Sequence, residues 1–172
     1  MVWILAPVAA LASLLFITIA VGLSLPRSHV ASSTMRTRQP PEVVWEAITD
    51  FPRYPSWRKE LKAIERLPDR EGREVWREVY ESGSPLTMET AESAAPKRLV
   101  RVIADEGGPF SGRWEFEIKA ESSGSRLIIT EHGEVPNPFF RFVSRFLIGH
   151  KHFLEKFQTE LAAKFGEEAV LE

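Results

Sequence analysis

The segment NPFFRFVSRFLIGHKHFLEKFQTELAAKFG, residues 137–166, is the most informative for the fold because it carries a long helical pattern. One face of that pattern recurs at steps of three and four residues: Phe139, Phe142, Phe146, His150, Phe153, Phe157 and Leu161. Asn137 and Pro138 are typical of a helix start, and Gly166 is typical of a helix end. The pattern predicts one helix over residues 139–165, about 40 Å long, whose aromatic face needs a large apolar partner.

Period-two patterns earlier in the chain predict that partner, an antiparallel sheet. The clearest lies at residues 112–120, where Trp114, Phe116 and Ile118 alternate with charged residues, as expected for a strand with one buried face. Short loops rich in Gly, Pro and Ser separate the strands, and such loops are typical of hairpins. A first strand is predicted at residues 29–38, and six more are predicted at residues 61–67, 74–81, 86–93, 99–105, 113–121 and 126–135.

Prolines mark two short helical pieces between the first strand and the others. Pro40 and Pro41 end the strand and begin a helix over residues 42–50, and Pro52 and Pro55 break off a second piece. The resulting order predicts an α+β helix-grip fold, in which a curved antiparallel sheet of about seven strands surrounds a long C-terminal helix. One transmembrane helix precedes this fold. A gap between sheet and helix would be a pocket.

No charged side chain occurs in residues 2–25, and Arg27, Arg36 and Arg38 follow. As a helix this run is about 36 Å long, enough to cross a hydrocarbon core of ~30 Å. A cleaved signal peptide is the alternative, but the run is longer than usual and no basic segment precedes it. Because basic residues stay cytoplasmic, we expect a single-pass cell-membrane protein whose soluble domain is cytoplasmic. The chain then divides into an anchor at residues 1–25, a linker at 26–33 and a helix-grip domain at 34–168.

The composition argues against several classes of site. The chain has 172 residues and no cysteine, which excludes disulfides, thiolate metal sites and cysteine nucleophiles. The formal net charge of −2 argues against a nucleic-acid partner, since such domains are usually basic. His150 and His152 lie two residues apart and point to different helix faces, and no Asp/Glu/His cluster adds ligands. We therefore expect no metal and no cofactor.

Three segments resemble the SRPBCC superfamily, also called START-like, in its polyketide cyclase/dehydrase branch. They are PPEVVWEAITDFPRYPSW at residues 40–57, GRWEFEI at 112–118 and TEHGEVPNPFFRFVSRFLIGH at 130–150. The resemblance covers residues 30–166 and implies a hydrophobic cavity for a lipid-like or polycyclic ligand. Members include lipid carriers, coenzyme Q-binding proteins, hormone receptors, ring-closing cyclases and oxygenase subunits, so the fold does not fix the chemistry.

Glu131 is the candidate polar group of the pocket. In the last strand the odd-numbered positions, such as Leu127 and Ile129, are the more apolar, so Glu131 is expected to face inward. A buried carboxylate must be paired or protonated, and Arg101 and Arg145 are the candidate partners. Glu131 would then bind a ligand or act as a general base. The alternative is a hydrated carboxylate at the cavity mouth or a purely structural ion pair.

The remaining candidates are mostly aromatic. His150 shares a helix face with the phenylalanines, where a lone histidine is more often a core or boundary residue than a ligand. Aromatic side chains suit a core, and they equally suit an apolar pocket with a few hydrogen-bonding points. With Glu131 and His150, the expected ligand-binding set comprises Trp57, Tyr80, Met88, Trp114, Phe116, Phe146 and Phe153. The sequence leaves open which faces of the strands at 74–81 and 99–105 point inward, and hence the orientation of Trp76.

Two arginines interrupt the phenylalanines at the start of the predicted long helix. Arg141 and Arg145 with neighbouring aromatic side chains can contact anionic lipid headgroups. The alternative is an aromatic stripe packed on the sheet with both arginines in solvent.

Three functions fit these features. The first is a membrane-tethered domain that binds a hydrophobic small molecule or lipid between sheet and helix. The second is a cyclase- or dehydratase-like enzyme on a polyketide or isoprenoid, with Glu131 and His150 as acid–base groups. The third is an accessory protein that binds a membrane partner. Because no paired acid–base signature is present, we expect binding and assign no catalytic residue.

Overall fold

The computed structural model describes residues 2–105 and 108–172, with side chains from Pro7 onward. The helical elements are α1 (Val2–Ser24), α2 (Pro41–Thr49), a 3₁₀ helix (Phe51–Ser56), α3 (Pro138–Val143), a π-helical turn (Ser144–Ile148) and α4 (His152–Lys164). The strands are β1 (Ser28–Thr37), β2 (Leu61–Arg70), β3 (Arg73–Tyr80), β4 (Leu86–Ala94), β5 (Arg98–Ile103), β6 (Ser111–Glu121), β7 (Gly124–Glu134) and β8 (Val170–Leu171).

The strands form one antiparallel sheet in the order β2-β3-β4-β5-β6-β7-β1-β8. This confirms the predicted α+β architecture and all seven predicted strands. Two differences concern the ends of the domain. β1 begins at Ser28, so residues 28–33 of the expected linker lie in the sheet. β8 pairs with β1 through Met35 opposite Leu171, which extends the sheet beyond residue 168.

The core lies between the inner face of the sheet and α2, the 3₁₀ helix and α4. On the sheet, Phe116 of β6 faces Ile129 of β7, and both are buried. On α4 the side chains of Leu154, Phe157 and Leu161 are buried against them. Fully burying a leucine or phenylalanine side chain contributes about 1.5–3 kcal/mol, so this contact fixes α4 across the sheet.

The predicted helix over residues 139–165 is wrong in its middle. The chain leaves the helical path at Gly149, whose φ is +83°, and α4 starts three residues later. The Gly149 N–H donates to the Ser144 carbonyl oxygen at 2.9 Å, which closes the π-helical turn. Glycine adopts a positive φ without the steric penalty of a Cβ atom. The second half, α4, therefore packs on the sheet, whereas α3 packs against α1.

Both ends of the predicted helix are confirmed. The Asn137 side chain accepts a hydrogen bond from the Phe139 N–H at 2.9 Å, which is an N-cap. At the other end Gly166 has a φ of +69°, and the Glu167 N–H donates to the Ala162 carbonyl oxygen at 2.9 Å. This is the hydrogen-bond pattern of a Schellman C-cap.

Residues Pro7–Ser24 of α1 form a helix long and apolar enough to cross a membrane. Membrane anchors and signal sequences both have this length and composition. Its C-terminal end packs against α3, where a Cβ atom added to Gly22 would clash with the carbonyl oxygen of Pro138. The Arg141 guanidinium also donates to the Leu25 carbonyl oxygen at 2.8 Å. The end of the apolar helix is therefore a packed part of the fold.

Candidate functional site

A cleft of about 380 Å³ lies where the end of α1, the start of β1 and α3 meet. It is lined by Leu25, Pro26, Arg27, Ser28, His29, Val30, Val135, Arg141, Ser144, Arg145 and His150. The turn away from the helical path at Gly149 separates α3 from α4 and brings His150 to the wall. The cleft therefore lies at the rim of the sheet, beside the first half of the C-terminal helical segment.

The gap predicted between the sheet and the long C-terminal helix is filled by side chains where α4 crosses the sheet. The Phe157 ring lies 5.3 Å from the ring of Trp57, 5.6 Å from that of Phe116 and 6.1 Å from that of Trp114. Gln158 is fully buried and donates to the Ser33 carbonyl oxygen of β1 at 3.0 Å. Three predicted pocket residues thus form an aromatic cluster around α4.

The polar lining of the cleft is basic. Arg27, Arg141 and Arg145 line it, and no aspartate or glutamate is among the described residues of its wall. Arg141 is only 6% exposed, and its guanidinium donates to the carbonyl oxygens of Leu25 at 2.8 Å and Pro136 at 3.1 Å. Those neutral acceptors position the guanidinium but leave its charge uncompensated.

Two histidines form one wall. The rings of His29 and His150 stack with centroids 3.9 Å apart and planes inclined by 20°. Gly133 makes room for this pair, since a Cβ atom there would clash with the His29 ring. Burial lowers the pKa of both imidazoles, assisted by repulsion from His150 at His29 and from Arg145 at His150. Both rings are therefore neutral near pH 7.

Glu131 faces inward as the alternation predicted. It lies two residues from Gly133 on β7, and its cross-strand neighbours are Ala31 and Trp114. Burial raises the pKa of its carboxyl, and a hydrogen bond from Trp114 partly offsets that increase. Glu131 is not among the residues that line the cleft. Burial therefore disfavours the charged form of this carboxyl.

The ion pair considered between Glu131 and Arg101 does not form among the described residues. Trp114 of β6 pairs with Glu131 on one side and with Arg101 on the other, so a whole strand separates the two charges. Arg101 is 3% exposed and stacks over the Phe51 ring at 4.0 Å. Burial lowers the pKa of this guanidinium. Arg145, the other candidate partner, lines the cleft instead.

The other predicted pocket residues are dispersed. The Tyr80 hydroxyl donates to the Glu78 carboxylate at 2.9 Å. This carboxylate also forms an ion pair with Arg58 at 3.1 Å, so Tyr80 belongs to a buried polar network. Met88 is buried in the sheet. Phe146 and Phe153 do not face the sheet, because the break at Gly149 redirects them, and they are 56% and 53% exposed.

The sequence interpretation missed His29 and the burial of Arg141. His29 lies at the start of β1. A period-two pattern predicts which face of the strand His29 occupies, but it does not predict contact with His150, which is distant in the sequence. Arg141 and Arg145 are four residues apart, so they share a helix face, and Arg27 follows the apolar run directly. That clustering of basic residues at both ends of the cleft is the available sequence signal.

Comparison with known proteins places the fold. A family model described as polyketide cyclase / dehydrase and lipid transport matches residues 28–166. The chain belongs to this family. The family's fold is compatible with ligand binding and with a cyclase role, and the family is known for binding hydrophobic small molecules. No functionally curated protein matches the chain.

Solved structures show the same helix-grip architecture. A START superfamily protein from Mycobacterium smegmatis is 19% identical with a TM-score of 0.63, covering 79% of this chain and 96% of that one. Protein MLL2253 from Mesorhizobium loti is 20% identical with a TM-score of 0.55, covering 80% and 98%. The Zhui aromatase/cyclase from Streptomyces sp. R1128 is 17% identical with a TM-score of 0.50, covering 63% and 68%. At these identities the likeness is one of fold.

Proposed function

We propose that this family member is a membrane-tethered domain that binds a hydrophobic small molecule or lipid in the cleft between the sheet rim and α3. The supporting observation is the position of the cleft, whose wall includes Leu25 and Pro26, the residues directly after α1. Its volume of about 380 Å³ lies within the usual range of small-ligand pockets, about 300–1,000 Å³. A tether at the wall keeps the cleft next to any membrane-resident ligand, which raises the effective concentration of that ligand.

The walls combine apolar and polar groups in the way such a ligand requires. Leu25, Val30 and Val135 provide apolar surface, and the arginines and histidines provide polar contacts. Glu131 lies on β7 two residues beyond Gly133, about 7 Å further along the strand, and the His29 ring covers Gly133 between it and the cleft. The raised pKa of Glu131 follows from its burial in the sheet.

Native mass spectrometry of the full chain, purified from membranes in mild detergent, tests this proposal. We expect a co-purifying lipid or small hydrophobic molecule. Ser144→Phe places a ring in the cleft, where Ser144 is part of the wall, and should abolish that adduct. Ser123→Phe, at an exposed position in the turn between β6 and β7, is the matched control and should retain it. An adduct that survives Ser144→Phe contradicts the assigned site, and a folded chain without any adduct favours the accessory-protein alternative.

The orientation is a separate part of the proposal. The arginines after α1, at positions 27, 36 and 38, favour a cytoplasmic domain by the positive-inside rule. Protease added outside intact spheroplasts should leave the domain undigested, whereas protease added after lysis should digest it. Digestion from the outside would show that the domain lies on the outer side of the membrane. That result would contradict the proposed orientation and would not bear on the ligand site.

An acid–base enzyme is the second candidate, and one observation favours it. Burial raises the pKa of Glu131, and general acids are commonly tuned in this way. If the chain is a cyclase or dehydratase of a polyketide or isoprenoid, Glu131→Gln should abolish turnover while the bound adduct is retained. Unchanged turnover in that variant would exclude Glu131 as the acid–base group.

A further inference from the structure

The cleft carries positive charge that no described carboxylate neutralises. None of Arg27, Arg141 and Arg145 forms an ion pair within the described part of the chain. We propose that the cleft binds the phosphate group of an anionic membrane lipid, with these three guanidinium groups as counter-charges. This inference rests on the tethering in the proposed function and adds the chemical class of the ligand.

Arg141 is the central group of this site. Only 6% of its surface is exposed, and its Nε has no hydrogen-bond partner among the described residues. Burying a charge without a counter-charge is costly, yet the fold holds this guanidinium in place through two backbone carbonyls. Because Arg141 lines the cleft, a phosphate group there would supply the missing counter-charge, and guanidinium matches phosphate geometry.

The depth of the cleft matches the position of lipid headgroups. α1 has 23 residues, which gives a helix of about 34 Å against a hydrocarbon core of ~30 Å. The cleft begins at Leu25, the residue after α1. If α1 crosses the bilayer, the cleft therefore lies at the level of the phosphates and not in the aqueous phase beyond them.

An exposed apolar surface surrounds this entrance and gives the acyl chains a place to lie. On α3 and the π-helical turn, large apolar side chains face outward instead of toward the sheet: Phe139, Phe140, Phe146, Leu147 and Ile148 are 38–73% exposed. α3 packs against the last turns of α1, where its Pro138 contacts Gly22. Because aromatic and aliphatic side chains of this kind enter the membrane interface, a lipid can keep its chains in the bilayer while its phosphate enters the cleft.

Binding of short-chain lipids to the full chain in detergent tests the proposal. The probes are dioctanoyl phosphatidic acid, dioctanoyl phosphatidylcholine and inorganic phosphate, and native mass spectrometry measures bound fractions. We expect phosphatidic acid to bind at least about tenfold more tightly than phosphatidylcholine. The phosphomonoester of phosphatidic acid has one more terminal oxygen and no choline cation beside it, and one additional charge-assisted hydrogen bond corresponds to at least about a tenfold change. Equal binding of the two lipids would overturn the proposal. Inorganic phosphate that binds as tightly as phosphatidic acid would overturn the lipid assignment in favour of a free anion.

Two variants and one control locate the site. The double variant Arg27→Gln/Arg145→Gln removes two exposed charges, and Arg141→Gln removes the buried one. Both should weaken binding of phosphatidic acid by at least about tenfold. The control Arg38→Gln/Arg70→Gln removes the same charge elsewhere, with Arg38 about 33 Å from Ser28 along β1, and should stay within about twofold. The double variant decides the matter if Arg141→Gln fails to fold, and an equal loss in the control would show nonspecific attraction.

A separate experiment on membranes that contain the full chain distinguishes this inference from the tethering. Alkaline carbonate extraction of membranes should leave the chain in the pellet if α1 is an anchor. Release into the supernatant refutes the tether. Retention in the pellet together with no preference for phosphatidic acid refutes the headgroup site alone.

Discussion

Replacing Gly149 with alanine tests the helix break that creates the cleft. Gly149 combines a φ of +83° with a ψ of 139°, close to a region that only glycine adopts readily. Apart from its chain neighbours, no heavy atom lies within 4 Å of a Cβ placed there, so the penalty is backbone strain alone. Strain of this kind costs about 1–3 kcal/mol, and we expect a loss of about 2 kcal/mol in the free energy of unfolding.

Thermal unfolding of the detergent-solubilised chain measures that loss. For a protein of this length, 1 kcal/mol shifts Tm by about 2–4 °C, so Gly149→Ala should lower Tm by about 4–8 °C. Gly108→Ala is the control, because Gly108 lacks a positive φ and its nearest contact would be an ordinary 3.5 Å. The control should stay within about 0.5 kcal/mol of wild type. If Gly149→Ala is as stable as wild type, residue 149 accepts a helical conformation and the described cleft is wrong.

Three further predictions concern the core and the titratable groups. Phe157→Ala should cost about 3–5 kcal/mol by thermal unfolding, whereas the exposed Phe146→Ala should cost less than about 0.5 kcal/mol in detergent; equal losses would contradict the packing of α4. Because the pKa values of His29 and His150 are lowered, the unfolded chain binds more protons below pH ~6.5, so Tm should rise with pH through that window. His150→Phe should flatten the profile, and a wild type already flat there would refute the buried pair. Because the pKa of Glu131 is raised, the stability from this group is lost as pH rises above its ordinary value of about 4.3. Glu131→Gln should therefore raise Tm at pH 7 and change it little at pH 4, and an equal shift at both would contradict a buried carboxyl.

The sequence predicts the parts of the fold that depend on neighbouring residues. The alternation around Phe116 gives β6 because a strand with one buried face repeats every two residues. Asn137 marks a helix start because its side chain accepts a hydrogen bond from the first turn. Gly166 marks a helix end because its backbone adopts the positive φ that a C-cap requires. The alternation in β7 likewise gives the inward direction of Glu131.

The break in the C-terminal helix depends on a contact that periodicity does not contain. The pattern from Phe139 to Leu161 continues through Gly149, and one glycine inside a helical pattern is tolerated. The structure uses that glycine as an end because α3 packs against α1 at Gly22 instead of against the sheet. Phe146, assigned to the inner face by spacing, is therefore exposed.

The residues of the candidate site divide in the same way. The spacing of these residues predicts which face of a helix or strand each occupies. Their contacts, however, join distant parts of the chain. Arg141 is buried because its guanidinium reaches the Leu25 carbonyl oxygen, 116 residues away. Arg101 is kept from Glu131 by the position of Trp114 between them, and that position requires knowing that β6 lies between β5 and β7.

The end of α1 and the cleft behave as one structural unit. Leu25 lines the cleft, and its carbonyl oxygen accepts a hydrogen bond from Arg141. The Val135 N–H donates to the Arg27 carbonyl oxygen at 2.8 Å. Removing residues 1–25 would leave α3 without its packing partner and the Arg141 charge with one carbonyl acceptor fewer. A buried charge that loses acceptors favours local opening. The site should therefore be studied in the full chain, because a chain cut after Leu25 would lose part of the wall of the cleft.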